Sequence, residues 1–308
     1  MTTDDIPKND LNSNFLTFLP IEIYGNLIKG KQTILLVYTT GFAYLITSLQ
    51  YEFNIFTFFW LIVAMFFAVS GSTLFNMFID KDIDKIMERT KDRPLQSGKI
   101  APTTVIKHAI FFTGAGLIIS WLFLDPLTTI VIFLGFFFDI IVYSLLLKRR
   151  TKFSIIFGGI AGGLPALAGR TAVILTVDAI GILICLFVIA WIPLHILTLA
   201  LLPKNLKGYK DAKIPMWPVV SSEKQTIYVI SFSALISAMI AVLIAILLEI
   251  DFILRFPLVF FSSYILALSF ENFLWPTTKR TFKIFKAASI YMVLTFLLLF
   301  IGLLITNG

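Results

Sequence analysis

The sequence predicts an all-α, polytopic membrane protein of about nine transmembrane helices. Three observations carry this. The chain has 308 residues, of which 58% are hydrophobic and 14% charged, with a mean hydropathy of +0.93, values that exclude a soluble core-rich domain. Nine apolar runs are long enough to span a bilayer. Of the 25 Lys and Arg, all but Arg170 and Arg255 fall in the N-terminal tail or in the loops, with adjoining helix ends, that follow spans two, four, six and eight. An even number of spans would break that alternation. The formal charge of +7 therefore reflects cytoplasmic loops and gives no argument for nucleic acid.

In chain order, residues 1–20 are mostly polar, with Asp4, Asp5 and Asp10, and read as a cytosolic tail with no secretory signal ahead of the first span. Residues 21–32 read as a short interfacial helix with Lys29 and Lys31 at the lipid headgroups. The spans are expected at 33–50, 55–78, 103–124, 127–147, 153–174, 179–202, 227–248, 252–270 and 287–305. The run 252–270 is the weakest, being interrupted or flanked by Arg255, Pro257 and Glu271. Cys185 sits inside an apolar run as a packing residue without a disulfide partner. Segments 79–102 and 203–226 have about the same length and each follows an even-numbered span, which hints at a weak internal duplication. The chain is thus divided into a tail with an interfacial segment, 1–32, and a single membrane domain, 33–308. The expected setting is the plasma membrane, multi-pass, with the N-terminus cytoplasmic and the C-terminus outside.

The stretch Asn76 to Lys99 is polar where a membrane helix should end. Asn76, Asp80 and Asp84 recur every four residues, so their oxygens share one helical stripe about 80° wide. Asp82 points to nearly the opposite side, and Arg89, Lys91 and Arg93 follow. A stripe of oxygen ligands beside cations suits Mg²⁺ holding a phosphorylated substrate, because Mg²⁺ takes one or two carboxylates plus phosphates and waters. The plain alternative is a solvated loop whose cations are membrane anchors. Ionisable groups near a membrane core cost roughly 2.5–3.5 kcal/mol each at the helix centre, less toward the surface, which argues for function.

The spacing Asn76-x3-Asp80-x3-Asp84 resembles the first aspartate-rich motif of the UbiA superfamily of intramembrane prenyltransferases. The fuller string, Asp80-Lys-Asp82-Ile-Asp84, then Met87-Glu88-Arg89-Thr90 and Arg93-Pro94-Leu95, is similar to the protoheme IX farnesyltransferase branch. Tyr143-x3-Leu147-Lys148-Arg149-x-Thr151, with Gly158-Gly159-x-Ala161-Gly162 and Pro165, resembles a second segment of that branch. Trp191-x-Pro193-x-His195 and Pro215-Met216-Trp217-Pro218-Val219-Val220 resemble a third. The sequence departs from the pattern at four places: the family's acid before Tyr209 is Gly208, Ile192 and Ile196 stand where Gln and Phe are usual, and Lys29-Gly30-Lys31 replaces a Lys-Pro near span one. Asp211 is the only acid in 203–222.

By its residues alone, Lys148-Arg149-Arg150 is either a diphosphate clamp or a set of positive-inside anchors. His195 taken alone reads as a helix–helix hydrogen bond more readily than as a ligand, and Asp139, four residues before Tyr143, is either functional or a helix-pairing group. His108 reads as an interfacial residue, and the glycines of 158–162 as packing positions. The resemblance implies a bundle around a central cavity that opens laterally to lipid, so that 33–308 is one prenyltransferase domain. It implies that Asn76, Asp80 and Asp84 hold one or two Mg²⁺ ions and act in catalysis with Lys148, while Arg89, Arg93, Lys148 and Arg149 take the diphosphate. It further implies that His195, Trp191 and Tyr143 receive the acceptor. The donor would be farnesyl diphosphate and the acceptor heme b, yielding heme O in a lipid bilayer, with a heme A synthase or terminal oxidase left open as an assembly partner. Two other readings stand beside it: a UbiA-type enzyme for a quinone precursor or archaeal glycerol lipid, and a transporter with helices broken at Pro165 and Pro193.

Overall fold

A computed structural model describes Gly25 and residues 27–308. The expected tail 1–20, and residues 21–24 and 26 of the interfacial segment, lie outside the described residues. All regular structure among the described residues is helical. Twelve helices are labelled here as α1 Gly30–Ser48, α2 Ile55–Ile79, α3 Lys81–Ile86, α4 Pro102–Phe123, α5 Pro126–Leu147, α6 Ser154–Ile174, α7 Ala179–Leu201, α8 Pro203–Asp211, α9 Trp217–Val220, α10 Glu223–Leu247, α11 Phe252–Leu274 and α12 Thr278–Asn307.

Eight of them, α2, α4–α7 and α10–α12, are long and apolar enough to cross a membrane, so the chain is a multi-pass membrane protein. The ninth expected span is α1, which opens on the polar Gly30-Lys31-Gln32 and packs along α6, α2 and α12. The weakest expectation, 252–270, is a continuous helix, α11, that accommodates Pro257. The last helix starts at Thr278 rather than 287, because its polar first turns, TKRTFK, are helical but not hydrophobic. Pro165 and Pro193 lie inside the unbroken helices α6 and α7, so the broken helices that a transporter reading requires are not formed there.

Capping chemistry sets the helix starts. Asn54 Oδ1 accepts from Phe56 N and Thr57 N, Asp125 from Thr128 N and Asp178 from Gly181 N, while Ser222 and Gln225 form a capping box. Small residues allow close helix packing where no water drives it. A Cβ on Gly116 of α4 would come within 2.6 Å of the Ala68 nitrogen of α2, so these backbones touch. Cys185 is buried and free, as expected of a packing residue.

The second half of α5, Phe137–Leu147, is π-helical. Its turns close five residues back, as in the bond from Lys148 N to the Tyr143 carbonyl (2.8 Å). That register stacks Asp139 over Ser144 and Tyr143 over Lys148. All four turn toward α2 or toward the space beside it, which is where the site forms.

Candidate functional site

A cavity of about 370 Å³ lies between α1, α2, α5, α6 and α7, with α3 and α8 at its polar end. Its deep wall is apolar, from Leu36, Met65, Ala68, Val69, Val131 and Ile132. Its other end carries Asn76, Asp80, Asp84, Arg93, Lys148 and Lys29.

The expected stripe forms across a joint. Helix α2 ends at Ile79, Asp80 turns out of helical geometry (φ −90°, ψ 8°), and α3 resumes at Lys81. Four-residue hydrogen bonds persist through the joint, from Asp80 N to the Asn76 carbonyl and from Asp84 N to the Asp80 carbonyl. Asn76, Asp80 and Asp84 therefore stay on one side, and all three are buried.

Asn76 and Asp80 have partners from far along the chain, and Asp84 has its partners in the loop that follows α3. Lys148 donates to Asp80 Oδ2, leaving Asp80 Oδ1 buried without a hydrogen-bond partner. Arg93 donates to Asp84 Oδ2 at 2.6 Å, and Gln96 to the same oxygen at 3.3 Å. The Asn76 amide is gripped at both ends: it donates to Asp139 Oδ2 at 2.8 Å and accepts from the Ser144 hydroxyl. The intramembrane acid Asp139 is thus tied to the stripe by the π-helical turn.

Arg89 lines the cavity with Arg93 and Lys148. Arg149 does not. It lies outside, half-exposed, gripping Asp82 through two hydrogen bonds of 2.7 Å and donating to the Ile79 carbonyl at 2.9 Å. Hydrogen bonding from Arg149 holds the Asp82 carboxyl below its ordinary range. Lys148 follows the last π-helical turn and points in, and the next residue consequently points out.

Lys29, expected at the headgroups, lines the polar end of the cavity. It has left-handed backbone (φ 48°) just before α1. Burial, then the nearby Arg93 and Lys148 charges, push its ammonium down to about 8. For Lys148, burial acts to lower the value, but the Tyr143 and Asp80 oxygens outweigh it and hold the ammonium above its ordinary value. Lys29, Gln96 and Ser144 were not singled out from sequence for this site, since isolated polar residues at helix ends give no signal of what they face.

The Tyr143 ring lies under Lys148, with Nζ 5.5 Å from its centroid. A Cβ on Gly158 of α6 would lie 3.0 Å from that ring, so glycine is what lets the ring lie flat against α6. Trp191 and His195 line the cavity from α7, their rings stacked at 4.6 Å and 14°. Tyr209 of α8 also lines it, whereas Asp211 is exposed and absent from the lining. Buried Gly208 faces Met87, where a Cβ would make ordinary contact at 3.4 Å. His108 is buried in the second turn of α4, with Nδ1 2.8 Å from the Thr104 carbonyl.

The UbiA prenyltransferase family model matches residues 36–297. The chain is 39% identical to the protoheme IX farnesyltransferase of Hyperthermus butylicus over 63% of this chain and 64% of that one. It is 39% identical to that of Korarchaeum cryptofilum (66% and 67% covered) and 37% to that of Archaeoglobus fulgidus (67% and 70%). The matched part thus spans about two thirds of the length of these relatives. In fold, it is similar to a solved digeranylgeranylglyceryl phosphate synthase (TM-score 0.76, 20% identity, 92% of this chain and 98% of that one). It is also similar to a UbiA homolog from Archaeoglobus fulgidus bound to DMAPP and Mg²⁺ (0.64, 15%, 90% and 98%). The family match covers most of the chain and every element that lines the cavity's deep wall, and the chain belongs to the UbiA prenyltransferase family.

Proposed function

We propose that the protein transfers the farnesyl group of farnesyl diphosphate to a vinyl group of heme b, giving heme O and diphosphate. The observation that carries this is the two-ended cavity. A polar end holds three carboxyl side chains, Asp80, Asp84 and Asp139, among four cations, Lys29, Arg89, Arg93 and Lys148, and an apolar wall continues from it. That is the shape of a diphosphate on a hydrocarbon tail. The names of the most similar relatives support heme as the acceptor.

The residues fit a bound Mg²⁺. Asp80 keeps a buried oxygen with no partner, and Asp84 and the Asn76 carbonyl lie on the same stripe. Among the described residues no group of three or more His, Cys, Asp or Glu closes around a metal, which suits an ion that keeps waters and phosphate oxygens as ligands. Asn76, Asp80 and Asp84 would hold the ion, which when bound would supply positive charge for the leaving diphosphate.

The chain's own residues do the rest. Arg93, Arg89 and Lys148 surround the diphosphate oxygens, and Arg149 stands outside as a second layer that orders Asp82. As the allylic C–O bond breaks, its electron pair leaves with the diphosphate, and the cations stabilise that charge. Met65, Val69 and Ile132 keep water from the allylic centre. The vinyl carbon attacks that centre, water adds to the resulting porphyrin side-chain cation, and one proton is lost. Trp191, His195 and Tyr143 hold the acceptor. In this reading the Lys/Arg-rich end faces the cytoplasm and the C-terminus lies outside.

The test offers purified protein, Mg²⁺ and farnesyl diphosphate in turn to heme b, a phenolic quinone precursor and an archaeal glycerol lipid, with products read by mass spectrometry. A farnesylated, hydrated heme as the only product is expected. Transfer only to a phenol or glycerol lipid overturns the heme assignment.

A further inference from the structure

The last helix, which carries no recognisable motif, meets the acceptor end of the cavity through matched pairs. Trp191 and His195 stand one turn apart on α7, and Phe285 and Ser289 one turn apart on α12. Trp191 Nε1 donates to the Ala288 carbonyl at 2.7 Å, which fastens α7 to α12. The His195 ring stacks on Trp191 at 4.6 Å and on Phe285 at 4.7 Å, within 14° and 24° of parallel. Among the described residues Trp191 and Phe285 make no ring contact with each other, as expected of rings on opposite faces of a third. The imidazole is left with only its edge to offer.

Which nitrogen is free follows from hydrogen counting. Ser289 Oγ lies 3.4 Å from His195 Nδ1. The single hydroxyl hydrogen of Ser289 is directed to the Phe285 carbonyl at 3.0 Å. Ser289 therefore meets Nδ1 of the ring as an acceptor. A neutral imidazole has one N–H and one lone pair. With the hydrogen on Nδ1, the lone pair is on Nε2, on a ring that lines the cavity.

We propose that Ser289 and Phe285 are positioning residues that hold His195 as its Nδ1–H tautomer and present the Nε2 lone pair, edge on, to the iron of the heme acceptor. No proton has to leave for that bond to form, because Nε2 carries none. The iron half rests on the heme reading above. The tautomer half stands on α12 alone.

The two halves are tested in one series on the full chain in detergent micelles, with ¹⁵N-labelled histidine. The chain has two histidines, and His195→Gln identifies the signals of the second. The expected spectrum shows Nδ1 protonated and Nε2 bare at His195. Ser289→Ala should shift the tautomer ratio toward Nε2–H by about fivefold, the equivalent of one hydrogen bond. Ser289→Thr should restore it. A wild-type Nε2–H tautomer, or a ratio that Ser289→Ala leaves unmoved, overturns the positioning role. Zinc protoporphyrin IX is then added. A shift of the Nε2 signal supports ligation, and bound porphyrin with an unmoved Nε2 overturns it. No porphyrin binding at all counts against heme as acceptor and leaves the tautomer result intact.

Discussion

The bundle has a buried ion pair at each end, and they are built differently. At the end away from the cavity's polar residues, Arg170 of α6 grips Asp178 through two hydrogen bonds of 2.7 and 2.5 Å and reaches Thr47 of α1 at 3.3 Å. Asp178 also accepts from Gly181 N, so the pair is closed and caps α7. At the other end, Asp80 and Asp84 are paired with Lys148 and Arg93, but Asp80 keeps one buried oxygen unpartnered and Lys29 adds a further cation. A closed pair holds helices together. An open pair assembled from four segments has ligand positions left over, and burying it is worthwhile only where a ligand completes it.

The largest expected effect breaks the open end. Asp80→Asn should lower turnover by about 10²–10³-fold while the protein stays monodisperse in detergent, read by diphosphate release and size exclusion. Breaking the closed end should do the reverse. Arg170→Met should cost about 2–3 kcal/mol in unfolding, less than a fully buried pair would, because Asp178 is partly exposed, and turnover below the melting transition should be unchanged.

A smaller effect concerns Lys29. Its folded value, about 8, lies below its unfolded value, so an anionic ligand finds it charged only below that pH. Farnesyl diphosphate affinity should fall as pH rises through about 8, and Lys29→Met should remove that limb. By the same linkage the protein alone gains stability as pH rises from about 8 toward the unfolded value, since the unfolded chain then holds the extra proton. The smallest effect is at Arg149. Its half-exposed pair with Asp82 is worth about 0–1 kcal/mol, so Arg149→Ala should change the KM for farnesyl diphosphate by less than about threefold, where Arg93→Ala changes it about tenfold.

The contrast also explains what was legible in the sequence. Hydropathy and the Lys/Arg alternation located the helices, because each is a local property of one segment. Asn76, Asp80 and Asp84 were legible because four-residue spacing means one face, even across the joint at Asp80. Lys148, Arg93 and Asp139 stood out as polar residues, but their pairing with Asp80, Asp84 and Asn76 did not. Lys29 resembled any lysine at a headgroup, and only the fold sets it between Arg93 and Lys148. The π-helical turn that stacks Asp139 over Ser144 has no compositional signal, and it is this turn that sends Lys148 inward and Arg149 outward. Phe285 and Ser289 were silent because a Phe and a Ser one turn apart in an apolar helix mean nothing until His195 stands opposite.

The most direct test is the binding of farnesyl diphosphate to the purified protein, followed by calorimetry in Mg²⁺ and in a chelator, for wild type and Asp80→Asn. The open-pair account predicts tight binding in wild type only with Mg²⁺, and loss of that dependence in Asp80→Asn. Equal wild-type affinity in the chelator, or an unchanged Mg²⁺ response in Asp80→Asn, would contradict it.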